Sequence, residues 1–80
     1  MNELRMYTKI EVPEMRGGYP VFYSRREGGP YYRWSFDDAS RQWQAGRILP
    51  SDVLPRTLEP AAWKTIPALL KRNIADHYQE

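Results

Sequence analysis

Tyr23-Ser24-Arg25-Arg26-Glu27-Gly28-Gly29-Pro30-Tyr31-Tyr32-Arg33-Trp34 is the stretch whose reading decides the fold. Val21, Phe22 and Tyr23 on one side of the glycines, and Tyr31 to Phe36 on the other, are strong strand formers. Glu27-Gly28-Gly29-Pro30 between them reads as a turn. Glycine supplies positive φ without steric cost, and proline bars helix or central ladder pairing. A hairpin of two strands follows, about Pro20 to Arg26 and Tyr31 to Phe36. Side chains alternate along a strand, so Tyr32, Trp34 and Phe36 share one face while Tyr31, Arg33 and Ser35 share the other.

Upstream, Leu4, Met6, Thr8, Ile10 and Val12 alternate with Glu3, Arg5, Tyr7, Lys9 and Glu11, the period of a half-buried strand. Pro13 ends it, and Pro13 to Tyr19, with Gly17-Gly18, reads as a loop. Downstream, Asp37-Asp38-Ala39-Ser40 is a polar turn, and Gln42 to Ile48 makes a fourth strand with Gly46 as a weak point or bulge. The rival is a short helical turn over Ala39 to Gln44 capped by Asp38. The strand is preferred because it sets Trp43 opposite Trp34 or Phe36.

Prolines at 50, 55 and 60 mark residues 49–60 as an extended connector that packs Leu49 and Leu54 on the domain. Beyond it, Trp63, Ile66, Leu70, Ile74 and Tyr78 recur at helical spacing, flanked by Leu69. Pro67 is tolerated only in a first turn, so a short turn covers Pro60 to Lys64 and Thr65 caps the main helix. The expected fold is α+β: a three- to four-stranded antiparallel sheet, a meander of hairpins over about residues 3–48, with one C-terminal helix over about 60–78 packed on a face. The 80 residues form a single domain.

Composition narrows the function. There is no cysteine, which removes disulfides and thiolate metal sites and fits a cytoplasmic location. No stretch approaches the roughly 20 apolar residues of a membrane span, and no apolar segment follows the charged N-terminus as in a signal peptide. Aromatics make 14% of the chain, enough large rings to fill a thin core, with dimerisation as the alternative way to complete it. Lys and Arg number 12 against 10 Asp and Glu, a mild excess that permits an anionic partner without requiring one.

Candidate catalytic groups are sparse. His77 is the single histidine, and adjacent helix positions point about 100° apart, so Asp76 and His77 do not address one ligand. The His77 ring instead suits a helix C-terminus. Asp37-Asp38 has the residue type of a metal or acid-base pair, but no further oxygen ligands lie nearby and aspartates favour turns. Neither Gly17-Gly18 nor Gly28-Gly29 has the spacing of a phosphate loop. The reading is therefore non-enzymatic, with no cofactor and no metal.

The positive feature is the interleaving of aromatics and arginines on the hairpin. Tyr23, Arg25, Arg26, Tyr31 and Arg33 are the candidate binding residues. Tyrosine and arginine are frequent hot-spot residues of protein interfaces. The same residues on a sheet also suit single-stranded nucleic acid, with rings stacked on bases and guanidiniums on phosphates. Good strand formers made soluble by arginine are the plain structural alternative. A protein partner is favoured because Glu27, Asp37 and Asp38 flank the patch. The alternative is a single-stranded nucleic-acid module on the same face, and a second copy of the chain stays open as a partner.

Tyr31-Tyr32 and Trp43 are similar to the tyrosine pair and second tryptophan of WW modules. The similarity covers only that hairpin: Phe22 and Tyr23 stand where the first tryptophan belongs, and Arg47 and Ile48 stand before Pro50 where the proline belongs. It implies a further partner, a proline-rich peptide on an aromatic groove.

Overall fold

A computed structural model of the chain describes residues 3–9, 15–16, 19–49 and 58–79. In chain order the described strands are β1 (Leu4–Lys9), β2 (Met15–Arg16), β3 (Tyr19–Pro20), β4 (Phe22–Arg26), β5 (Tyr31–Asp37), β6 (Gln42–Arg47) and β7 (Leu58–Pro60). A 3-10 turn, Trp63–Thr65, then leads into helix α1, Ala68–His77. The architecture is α+β. A five-stranded antiparallel sheet has the order β6-β5-β4-β1-β7, and α1 packs on one face. The Cα radius of gyration is 12.1 Å. That is close to the about 12 Å of a compact folded chain this long.

The expected hairpin is the middle of this sheet, with Phe22 opposite Trp34 and Arg25 opposite Tyr31. Its turn uses one left-handed glycine, Gly28 at φ 81°, and closes with Gly29 N–H donating to the Arg26 carbonyl at 2.7 Å. The fourth strand forms without a bulge, Gly46 pairing regularly with Arg33 and Trp43 sitting opposite Phe36. Its connecting loop is held by Asp37, which belongs to β5 rather than to the turn. Ser40 donates to the Asp37 carboxylate from its hydroxyl (2.7 Å) and its amide (3.2 Å). These hydrogen bonds hold that carboxyl below the ordinary range. The aspartate is spent on closing the loop.

Three expectations need correction. The sheet has five strands, not three or four, because Leu58–Pro60 leaves the expected connector and pairs with Tyr7–Lys9 of β1. Pro60 is admitted there because Tyr7, opposite it, turns its main-chain groups to β4 and asks Pro60 for no N–H. The expected loop Pro13 to Tyr19 contains part of a second ladder, Met15–Arg16 against Tyr19–Pro20. Leu49 is 51% exposed rather than buried, and Leu54 lies outside the described residues.

The helix start also differs. Thr65 caps nothing on α1: it closes the 3-10 turn, its hydroxyl donating to the Ala62 carbonyl at 2.6 Å. Pro67 is itself the N-cap. A residue before proline is pushed out of the α region, and Ile66 is accordingly extended at φ −78°, ψ 131°. That break explains why the expected stripe divides. Leu70 and Ile74 share the buried side of α1, and the extended Ile66 is buried beside them, whereas Trp63, before the break, is 48% exposed.

The core lies between α1 and the sheet face carrying Met6, Phe22, Trp34 and Trp43. Full burial of side chains such as Leu70 and Ile74 is worth roughly 1.5–3 kcal/mol each. One polar group sits at its centre. Ser24, 0% exposed, accepts the Trp34 indole N–H at 2.8 Å and lies 2.9 Å from the Tyr78 hydroxyl. At the edge, Trp43 N–H donates to the Asn73 side chain at 2.9 Å, tying α1 to β6.

Candidate functional site

Register decides which side chains the helix leaves uncovered. On the face away from α1, one cross-strand row is Arg5, Arg25 and Tyr31, and the next is Tyr7, Tyr23, Arg33 and Gly46. Four of the five candidate residues, Tyr23, Arg25, Tyr31 and Arg33, therefore share this open face. Arg26 does not. One position on from Arg25, it turns to the helix side, where its guanidinium lies 5.0 Å from the Tyr78 ring centre and donates to the Tyr78 carbonyl at 3.4 Å. Tyr23 is on the face but only 2% exposed, at the middle of a central strand between Tyr7 and Arg33. Arg33 is exposed, and Gly46 opposite it sets no side chain beside it.

Arg5 and Tyr7 complete the patch. The alternation of the first strand places them on one face with Glu3, but only the β1–β4 pairing brings that face beside Arg25 and Tyr31. The Tyr7 and Tyr31 rings meet at 5.9 Å, tilted by 53°. The Arg25 guanidinium lies 5.0 Å from the Tyr31 ring centre, while its Nε–H donates to the Gly29 carbonyl at 3.0 Å. The cation is thus held by the turn on one side and the ring on the other.

Two depressions adjoin the patch. A small one, about 130 Å³, is lined by Arg5, Tyr7, Arg25, Glu27 and Gly28. A larger groove, about 390 Å³, runs along β1 from Glu3 to Tyr7, with Pro60, Ala61 and Trp63 as its other wall. Arg5 and Tyr7 belong to both. Arg5 and Arg25 stand directly opposite on neighbouring strands. The one carboxylate paired with them among the described residues is Glu3, 3.6 Å from Arg5, with both side chains largely exposed. Such a pair contributes little.

The remaining candidates lie on the helix side. The His77 ring meets Tyr32 edge-on at 4.5 Å and Trp34 at 5.4 Å. Tyr32 and Trp43 both face the helix, and Trp43 is 6% exposed, so the aromatic groove implied by the WW similarity is filled by α1. Burial raises the Tyr78 phenol above its ordinary value, partly offset by its bond to Ser24. Among the described residues no group of three or more His, Cys, Asp or Glu is placed to hold a metal ion. No helix among them is long and apolar enough to cross a membrane. Comparison with protein-family models, curated proteins and solved structures finds no match.

Proposed function

We propose that this is a small non-enzymatic binding or regulatory module, cytoplasmic on its cysteine-free composition, that holds a protein partner on the open sheet face. The observation that carries this reading is the locked cluster Tyr7–Tyr31–Arg25 beside exposed Arg33. Rings and guanidinium already held in one arrangement lose little freedom on binding, as suits an interface anchor. Single-stranded nucleic acid asks for ring faces free to stack on successive bases. Here Tyr31 already has Arg25 over its ring and Tyr7 against it, and Glu3 and Glu27 stand at the rim.

The test is quantitative capture with the wild-type chain and with Tyr31→Ala/Arg33→Ala. The double variant should melt as the wild type does and lose its specific partners. Retained capture removes this face from the reading. A parallel anisotropy titration uses labelled single-stranded DNA and RNA pools at about 50 and 200 mM salt. Binding that collapses at the higher salt replaces the protein reading with the nucleic-acid one.

A further inference from the structure

β1 is a strand with one finished edge and one half-finished edge. Toward β4 it is paired from Leu4 to Tyr7, and Glu27 N–H donates to the Glu3 carbonyl at 3.1 Å. Antiparallel pairing alternates, so Glu3, Arg5 and Tyr7 direct their main-chain groups to β4, and Leu4, Met6 and Thr8 direct theirs to the opposite edge. β7 covers that edge only over Tyr7–Lys9. One further bond, Ala61 N–H to the Met6 carbonyl at 2.8 Å, ends the pairing, and the chain turns away into Trp63–Thr65. The N–H and C=O of Leu4 and the N–H of Met6 are left facing the larger groove, without partners among the described residues.

An extended chain is what satisfies alternate donors and acceptors along an open edge. The two sides of β1 then dictate its side chains. On the helix side the groove offers Leu4 and the exposed Trp63, with the Lys71 ammonium 5.5 Å from its ring centre. On the open side it offers Arg5; Arg25, one strand further in, is engaged by the Tyr31 ring and the Gly29 carbonyl. The Glu3 carboxylate lies 3.6 Å from Arg5 with both side chains largely exposed, a weak pair that a carboxylate of an incoming segment can displace. Neighbouring residues of a strand point to opposite faces, so the two demands fall on alternate positions of one segment.

We infer that the half of the β1 edge that no described residue pairs receives an extended segment of a partner protein in which apolar and acidic residues alternate. Its apolar side chains lie against Leu4 and Trp63 and its carboxylates at Arg5. This rests on the protein-partner reading and specifies the partner's chemistry. The probe is the peptide acetyl-Val-Glu-Val-Glu-Val-amide, titrated into the isotope-labelled full chain and followed by amide and indole NMR signals.

Saturable shifts at the Leu4, Met6 and Trp63 signals are expected. Replacing both peptide glutamates by glutamine should weaken binding about tenfold or more, as should Arg5→Gln in the protein. Methylating the peptide's valine nitrogens, which keeps every side chain but removes main-chain donors, should abolish it. Equal binding of the methylated peptide, or no shifts at the β1 edge, overturns the inference. If the edge is silent while Tyr31→Ala/Arg33→Ala still loses its partners, only this inference falls. If the edge responds and that variant keeps all its partners, the binding surface is the edge and not the face.

Discussion

The two faces of this sheet are built from much the same residue types and end in different states. Toward the helix stand Phe22, Tyr32, Trp34, Phe36 and Trp43, with Arg26 at the rim; away from it stand Tyr7, Tyr23 and Tyr31, with Arg5, Arg25 and Arg33. On the first face the rings close over Leu70 and Ile74, and the polar atoms that must be buried find partners, the Trp34 indole on Ser24 and Ser24 beside Tyr78. On the second the Arg25 guanidinium lies over the Tyr31 ring and Tyr7 meets that ring, while Tyr23 is buried at 2% exposure. Aromatic content therefore does not separate core from surface in this chain. The supply of hydrogen-bond partners and the placement of arginine do.

The contrast is easiest to break at the core. Trp34→Ala should cost about 3–5 kcal/mol in chemical denaturation, because it empties a fully packed site. Ser24→Ala should cost about 1–3 kcal/mol, since it leaves the Trp34 N–H buried without an acceptor. A loss no larger than that of a surface substitution would mean that the polar relay under the helix is not formed in solution.

pH sharpens the same contrast without mutation. The Tyr78 phenol is raised in the folded chain. The neutral form is the one folding favours, so its contribution is complete below the ordinary tyrosine value and is lost as pH rises through the folded one. The Asp37 carboxyl is lowered. Its contribution is present above the ordinary aspartate value and fades as pH falls through the folded one. Melting curves should therefore fall off at both extremes. Tyr78→Phe should flatten the alkaline limb and Asp37→Asn the acid limb.

The open face should respond least. Arg33→Ala should leave stability within about 0.5 kcal/mol of the wild type. Arg5→Thr should raise the melting temperature slightly, and more at low salt, because it relieves the Arg5–Arg25 repulsion. A drop in its place would show that the arginine pair is structural rather than kept for a ligand.

Much of this contrast is legible in local pattern. Alternation at Leu4–Lys9 and Tyr31–Phe36 assigns the faces of single strands, and Gly28 with Pro30 marks the turn between β4 and β5. The site was legible only in part. Arg25 and Tyr31 are neighbours because one hairpin makes them so. Arg5 joins them across a pairing between segments some twenty residues apart, and no local signal announces it. Arg26 follows Arg25 on the same strand and so takes the opposite face, an alternation that the run Arg25-Arg26 itself carries.

What the chain's own pattern determined is the α+β class, the central hairpin, the fourth strand and the helical phase of Leu70 and Ile74. These rest on φ preferences and side-chain alternation, which act within a few residues. What only the tertiary structure decided is the fifth strand at Leu58–Pro60, the exposure of Trp63, the burial of Tyr23 and the meeting of Arg5 with Arg25. Each depends on which distant segment lies alongside, and strand pairing is chosen by the burial of a whole face rather than by any residue's own preference.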